Sequence, residues 1–229
     1  MKVNWMKRFA LLLLVVAVFS MQVVHGEMRA MHIVDDIKLS GNETQIIDED
    51  SNIIGGLVLN DNSSLTIIDS LILFGEREDA EYTLSGNSKL TAINCTIRWI
   101  SSNSLQASQN ASIELINVEI YEPYEVNSRN YFSTGIGLAG NSEVNIRDSS
   151  IGFIRLAENA QCRVTNSHIG NFGTLSTGES ELNNCKVETL SLYYEKNWVQ
   201  INQTMTGKHE MFDQSQFVKS GETEKGGQE

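Results

Sequence analysis

Proline is nearly absent from this chain: Pro123 is the only one in 229 residues. It falls outside every strand-like phrase described below, so no phrase loses a backbone donor to it. Cysteine is almost as rare, with Cys95, Cys162 and Cys185 alone. No cysteine precedes Cys95, which excludes a lipid-anchored cysteine near the start of an exported chain. Basic residues are short too, 17 against 29 acidic ones, for a formal net charge of -12. A surface of that sign repels phosphate backbones and anionic lipid, so nucleic acid is not an expected partner. Histidines 32, 168 and 209 are scattered, without the spacing of a zinc site.

Long apolar runs are confined to the first segment. Lys2, Lys7 and Arg8 precede the unbroken run from Phe9 to Phe19, and Val24 and Gly26 supply small residues for a cut before Glu27. Residues 1–26 therefore read as a signal peptide. Even extended to Val24, the run is shorter than the ~20 residues that span a bilayer. Membrane contact is expected only through an uncleaved signal segment, and the protein is expected to be secreted or at the cell surface.

What is present is a repeated phrase. Leu65–Ile72, Leu90–Ile97, Ile113–Ile120, Val144–Ile151, Cys162–Ile169 and a weaker Ser180–Val187 share one pattern. Apolar residues alternate, an Asn or Asp follows, then a small residue, then another apolar position. The Asn or Asp positions are 69, 94, 117, 148, 166 and 184, spaced by 25, 23, 31, 18 and 18 residues. Period-two alternation marks strands, and repetition at roughly 20 residues marks a solenoid. Each turn reads as a strand, a sharp bend at the Asn, and a second strand. A third strand precedes each phrase, marked by Leu84, Leu105, Leu138, Leu156 and Leu175. Gly- and Asn-bearing corners such as Ser85-Gly86-Asn87-Ser88 close the turn.

The expected fold is all-β, a parallel β-helix of about seven rungs with an internal Asn ladder. Asp69, Asn94, Asn117, Asp148, Asn166 and Asn184 form that ladder, with Asn94 inaccessible. Stacked amides hydrogen-bond from rung to rung, but a carboxylate accepts and cannot donate, so Asp69 and Asp148 need a neighbouring donor. Cys95 and Cys185 share the small inward site that other rungs fill with Ser70, Val118, Ser149 and Ser167. They lie four rungs apart, about 19 Å at roughly 4.8 Å per rung, beyond the reach of a disulfide. Residues 27–38 are expected to cap the first rung, 39–200 to form the β-helix, and 201–229 to be a polar, disordered tail.

The phrase and its irregular spacing resemble the right-handed parallel β-helix of the pectate-lyase-like superfamily, over roughly residues 35–195. Left-handed β-helices prefer strict hexapeptides, which spacings of 23, 25 and 31 violate. The resemblance implies architecture and raises catalysis as a question. The lyases carry an Arg-x-Pro-x-x-Arg element, and Pro123 has no such arginines. The related hydrolases carry Asn-Thr-Asp, Asp-Asp and Gly-His-Gly segments, and the one Asp-Asp here, Asp35-Asp36, lies at the edge of the repeats. No catalytic residue is assigned.

The candidate ligand platform is a stripe. Alternation points Ile68, Ile93 and Ile116 outward on consecutive rungs, an apolar strip that water should not see. The longest spacing then carries Tyr121, Tyr124, Tyr131 and Phe132, aromatics suited either to covering the strip or to stacking on sugar rings. No cofactor is expected. The acidic runs 48–50 and 76–81 would at most suit Ca²⁺, but neither has a spaced ligand loop. Asn42, Asn62, Asn94, Asn110 and Asn202 begin Asn-x-Ser/Thr triplets, of which Asn62 and Asn110, at corners, are the better candidates for glycosylation in an exported chain. The expectation is a non-catalytic β-helix presenting a surface to polysaccharide or an envelope protein, with a reduced polysaccharide lyase or glycoside hydrolase as the alternative.

Overall fold

The computed structural model describes residues 31–75, 80–99, 104–121, 134–192, 198–202, 205–211, 216–219 and 222–225. Twenty-two strands and no helix make up the described residues. The chain winds through three faces per turn, and each strand but the last pairs in parallel with the strand one turn away.

The third face shows the stack most plainly. It runs from β3 (Thr44–Ile47) through β6 (Ser64–Ile68) to the first halves of β9 (Lys89–Trp99) and β11 (Ser112–Tyr121). It continues through β13 (Glu143–Arg147), β15 (Gln161–Thr165), β17 (Glu179–Asn183), β19 (Trp198–Asn202) and β21 (Gln216–Lys219). The first face starts at β1 (His32–Val34), β4 (Ser51–Ile53) and β7 (Leu71–Phe74) and takes the second halves of β9 and β11. The second face holds β2 (Ile37–Leu39), β5 (Leu57–Leu59), β8 (Tyr82–Leu84), β10 (Ser104–Ala107) and β12 (Gly135–Leu138). Thereafter β14 (Ser150–Glu158), β16 (His168–Ser176), β18 (Lys186–Leu192) and β20 (Met205–Met211) cross the first and second faces without a break.

Alternation along each strand fills the interior with in-register columns. Ile72, Ile97, Ile120, Ile151, Ile169 and Val187 stack one above another and are all buried. Each such side chain contributes about 1.5–3 kcal/mol relative to exposure, so the column alone ties six turns together. Phe74, Tyr82 and Trp99 pack on one another in the interior, with Phe74 and Trp99 stacked at 4.9 Å.

The third-strand markers need one correction. Leu84, Ala107, Leu138, Leu156, Thr174 and Leu192 share the inward position, and Leu175 lies outward, 47% exposed. A shift of one residue turns a strand side chain to the opposite face, and Thr174 satisfies the 18-residue offset that Leu175 misses. Leu105 is also inward, two residues before Ala107.

Strand pairing also reaches past the limits read from sequence. β1 and β2 belong to the first turn and are not a separate cap, with Ile37 buried among the core residues. In the stretch expected to be a disordered tail, β20 pairs with β18 and β21 with β19, and β22 (Glu222–Lys225) folds back antiparallel on β21. Among the described residues the third face accordingly extends through β19 to β21, beyond the limit read from sequence. A polar sequence hides such strands, because the preceding turn, not side-chain patterning, supplies their backbone partners.

Candidate binding face

All six expected ladder residues adopt a left-handed backbone: Asp69, Asn94, Asn117, Asp148, Asn166 and Asn184 have φ between 51° and 54°. Asn and Asp tolerate this conformation best among residues with a side chain, which is why the bend carries them and nothing else. The following residue turns inward. There Ser70, Ser149 and Ser167 donate their hydroxyls to the carbonyls of Ile68, Arg147 and Thr165 at 2.6–2.7 Å. Cys95 and Cys185 do the same with longer thiol contacts of 3.0 and 3.1 Å.

Because the left-handed residue points out, the ladder is external, not internal, and Asn94 is exposed. Its bonds run one way. Nδ2 of Asn94 donates to Oδ1 of Asp69 at 2.8 Å, and Asn117 donates to Asn94 at 3.0 Å. Asn166 donates to Asp148 at 3.2 Å, and Asn184 to Asn166 at 2.8 Å. Each aspartate therefore begins a segment, where only acceptance is required. Between Asn117 and Asp148 the ladder is interrupted, since a carboxylate has no hydrogen to pass on.

A second ladder was missed by the sequence reading. Asn42, Asn62, Asn87, Asn110, Asn141 and Asn159 stack at the corner between the second and third faces, with amide bonds of 3.0–3.4 Å. Thr177 Oγ1 closes the row on Asn159 at 2.7 Å. The signal was available: each Asn follows a left-handed residue, namely Gly41, Asp61, Gly86, Gln109, Gly140 or Glu158. The left-handed positions alternate between glycine and a polar side chain. The side chain one turn on caps the glycine amide, Asp61 on Gly41, Gln109 on Gly86 and Glu158 on Gly140, at 3.0, 2.7 and 2.6 Å.

The platform residues Ile68, Ile93 and Ile116 are brought together. They are in register on the outside of the third face and half-buried. Tyr121 closes β11 opposite Arg98. Its side chain, with Tyr124, Tyr131 and Phe132, lies outside the described residues. The isoleucine row continues in register as Arg147, Thr165 and Asn183. Beside it the middle outward row passes from Thr66 and Thr91 through Glu114 to Asn145, Arg163, Glu181 and Gln200. The face thus changes from apolar to polar across the turn that holds the longest insertion.

On its polar half lies a recess of about 70 Å³ lined by Glu143, Asn145, Gln161, Arg163, Glu181 and Gln200, among others. Arg163 Nε stands 3.9 Å from Glu181 Oε2. Arg147, at the end of the adjoining strand, stands 3.8 Å from Asp148, and farther along the face Lys89 pairs with Glu114 at 3.2 Å. Beneath the recess Cys162 is fully buried, and burial pushes its thiol well above the ordinary range. Asp50, in one of the two acidic runs, accepts the Leu71 amide at 2.8 Å. Part of the other, residues 76–79, lies outside the described residues. Among the described residues no three His, Cys, Asp or Glu side chains gather as a metal-binding group.

Parallel pairing on every turn, inward columns and outward amide ladders define a parallel β-helix. No family model, no curated protein and no solved structure matches the chain.

Proposed function

We propose that this chain is an exported, non-catalytic β-helix protein, secreted or held at the cell surface, whose third face contacts a glycan or an envelope protein. The observation that carries this reading is the pair of outward rows on that face, an isoleucine strip that continues in register as Arg147, Thr165 and Asn183 beside a row of amides, carboxylates and Arg163. Sugar rings offer apolar faces and hydroxyl edges, and adjoining apolar and hydrogen-bonding rows suit both. A recess of about 70 Å³ is too small to enclose a drug-sized ligand, whose sites run to roughly 300–1,000 Å³. Contact is therefore along the face, not in a pocket. Export is supported by the leader-like residues 1–26 and is consistent with the acidic charge.

The test incubates the purified protein with uronate-containing and neutral oligosaccharides, with and without Ca²⁺, and reads bound and cleaved species by mass spectrometry. Intact, retained sugar that is lost in Arg163→Ala and Gln161→Ala, at unchanged melting temperature, is the expected result. Cleavage would replace the reading with the reduced lyase or hydrolase and direct attention to Glu114, Arg147 and Asp148. Neither retention nor cleavage would leave the envelope protein as the partner.

A further inference from the structure

The five Asn-x-Ser/Thr triplets are not equivalent once folded. Asn62, Asn94, Asn110 and Asn202 each spend a side-chain N–H on the neighbouring turn, donating to Asn42, Asp69, Asn87 and Asn183 at 3.2, 2.8, 3.1 and 2.7 Å. Asn42 begins the corner ladder. Its Oδ1 accepts from Asn62, and its Nδ2 has no acceptor among the described residues. The hydroxyl residue two positions on differs as well. Thr44 is exposed, whereas Ser64, Thr96 and Ser112 are half-buried, and Thr204 lies outside the described residues.

We infer that Asn42 is the acceptor for an asparagine-linked glycan and that side-chain bonds between turns withhold the other four triplets. Transfer needs the carboxamide nitrogen and the hydroxyl of the triplet presented together on an accessible segment. The Asn202 nitrogen is held on Asn183. At Asn62, Asn94 and Asn110 the nitrogen is held against the adjacent turn, with neighbouring ladder side chains about 4.8 Å away on both sides, which leaves a sugar no room without parting the stack. Asn42 has such a neighbour on one side only among the described residues. The reaction joins Nδ2 to the anomeric carbon of a polyprenyl-diphosphate-linked oligosaccharide. It breaks the bond from that carbon to the diphosphate oxygen and releases the lipid diphosphate and one amide proton.

The inference rests on export, so two arms separate the questions. In a secretory host with an asparagine-linked glycosylation pathway, the full chain is expressed with its own leader, and also with a cleavable leader appended before Met1. Export of the first reports on the export reading alone. The second is mapped by amidase release, which leaves Asp where a glycan stood. One occupied site, at Asn42, is expected. The glycan should be lost in Asn42→Gln and equally in Thr44→Ala, which spares the ladder amide. Glycan on Asn62, Asn94, Asn110 or Asn202 of the folded protein, or none on Asn42, would overturn it.

Discussion

Asp148 is the residue at which the bend ladder stops and restarts. Its neighbours above and below are both amides, yet only Asn166 donates to it, because Asn117 turns its carbonyl oxygen toward Asp148 and its amino group toward Asn94. An amide in place of that carboxylate gives Asn117 Oδ1 the donor it lacks and joins the two segments. Asp148→Asn is therefore expected to stabilise the fold by about 0.5–1.5 kcal/mol, toward the lower end because the ladder is exposed. The pair with Arg147 that it removes is solvent-exposed and worth little. Asp69→Asn is the control. It makes the same left-handed substitution at a segment start with no ladder amide on the preceding turn, so urea midpoints of the two variants isolate the amide–amide bond. Equal midpoints would mean that the interruption carries no energetic weight.

At the scale of the corner, glycine is required by two separate constraints that Gly86 and Gly41 tell apart. Both have positive φ, 71° and 61°. A Cβ on Gly86 would lie 2.8 Å from the Asp61 backbone, while one on Gly41 meets nothing within 4 Å. Gly41→Ala should cost about 1–2 kcal/mol, the left-handed penalty alone. Gly86→Ala adds a clash with backbone that has no flexible end to yield and should cost about 2–4 kcal/mol. Comparable losses in chemical denaturation would show that the turns part readily. The same stacking explains what the sequence made legible. Bend residues, inward columns and the isoleucine strip repeat at fixed offsets, so alignment on one Asn exposes them. The corner ladder repeats just as faithfully, but its left-handed position alternates between Gly and Asp, Gln or Glu, and that mixture disguised the column. Leu175 was misplaced for the opposite reason: a large apolar residue sits beside the true inward position, which holds Thr174.

At the scale of the whole molecule the interior is one continuous column of side chains, and its acidic groups share one response to pH. Burial raises the thiols of Cys95 and Cys162 and the phenol of Tyr82 above their ordinary values of 9.0 and 10.0. These groups stay protonated in the folded chain when the unfolded chain has begun to ionise, so the folded state binds more protons above pH 9.0. Stability is complete below that value and falls as pH rises, by up to ~1.4 kcal/mol per pH unit for each group fully out of step. Urea midpoints measured from neutral pH upward should decline past 9.0. Cys162→Ala should start lower, because it leaves a cavity, but decline less steeply. A parallel decline would show that the buried thiol does not set the alkaline limit.

The sequence by itself determined the turn: strand alternation, a left-handed bend that only Asn and Asp fill well, and small or apolar residues that must face in. These are local consequences of backbone sterics and burial, and each is written within a few residues. Only the tertiary structure decided how far the stack runs and that the amide ladders lie outside. It also decided that an apolar strip meets a polar recess on one face. Those facts depend on which turn lies against which, and that register is set by hydrogen bonds between residues 18 to 31 apart.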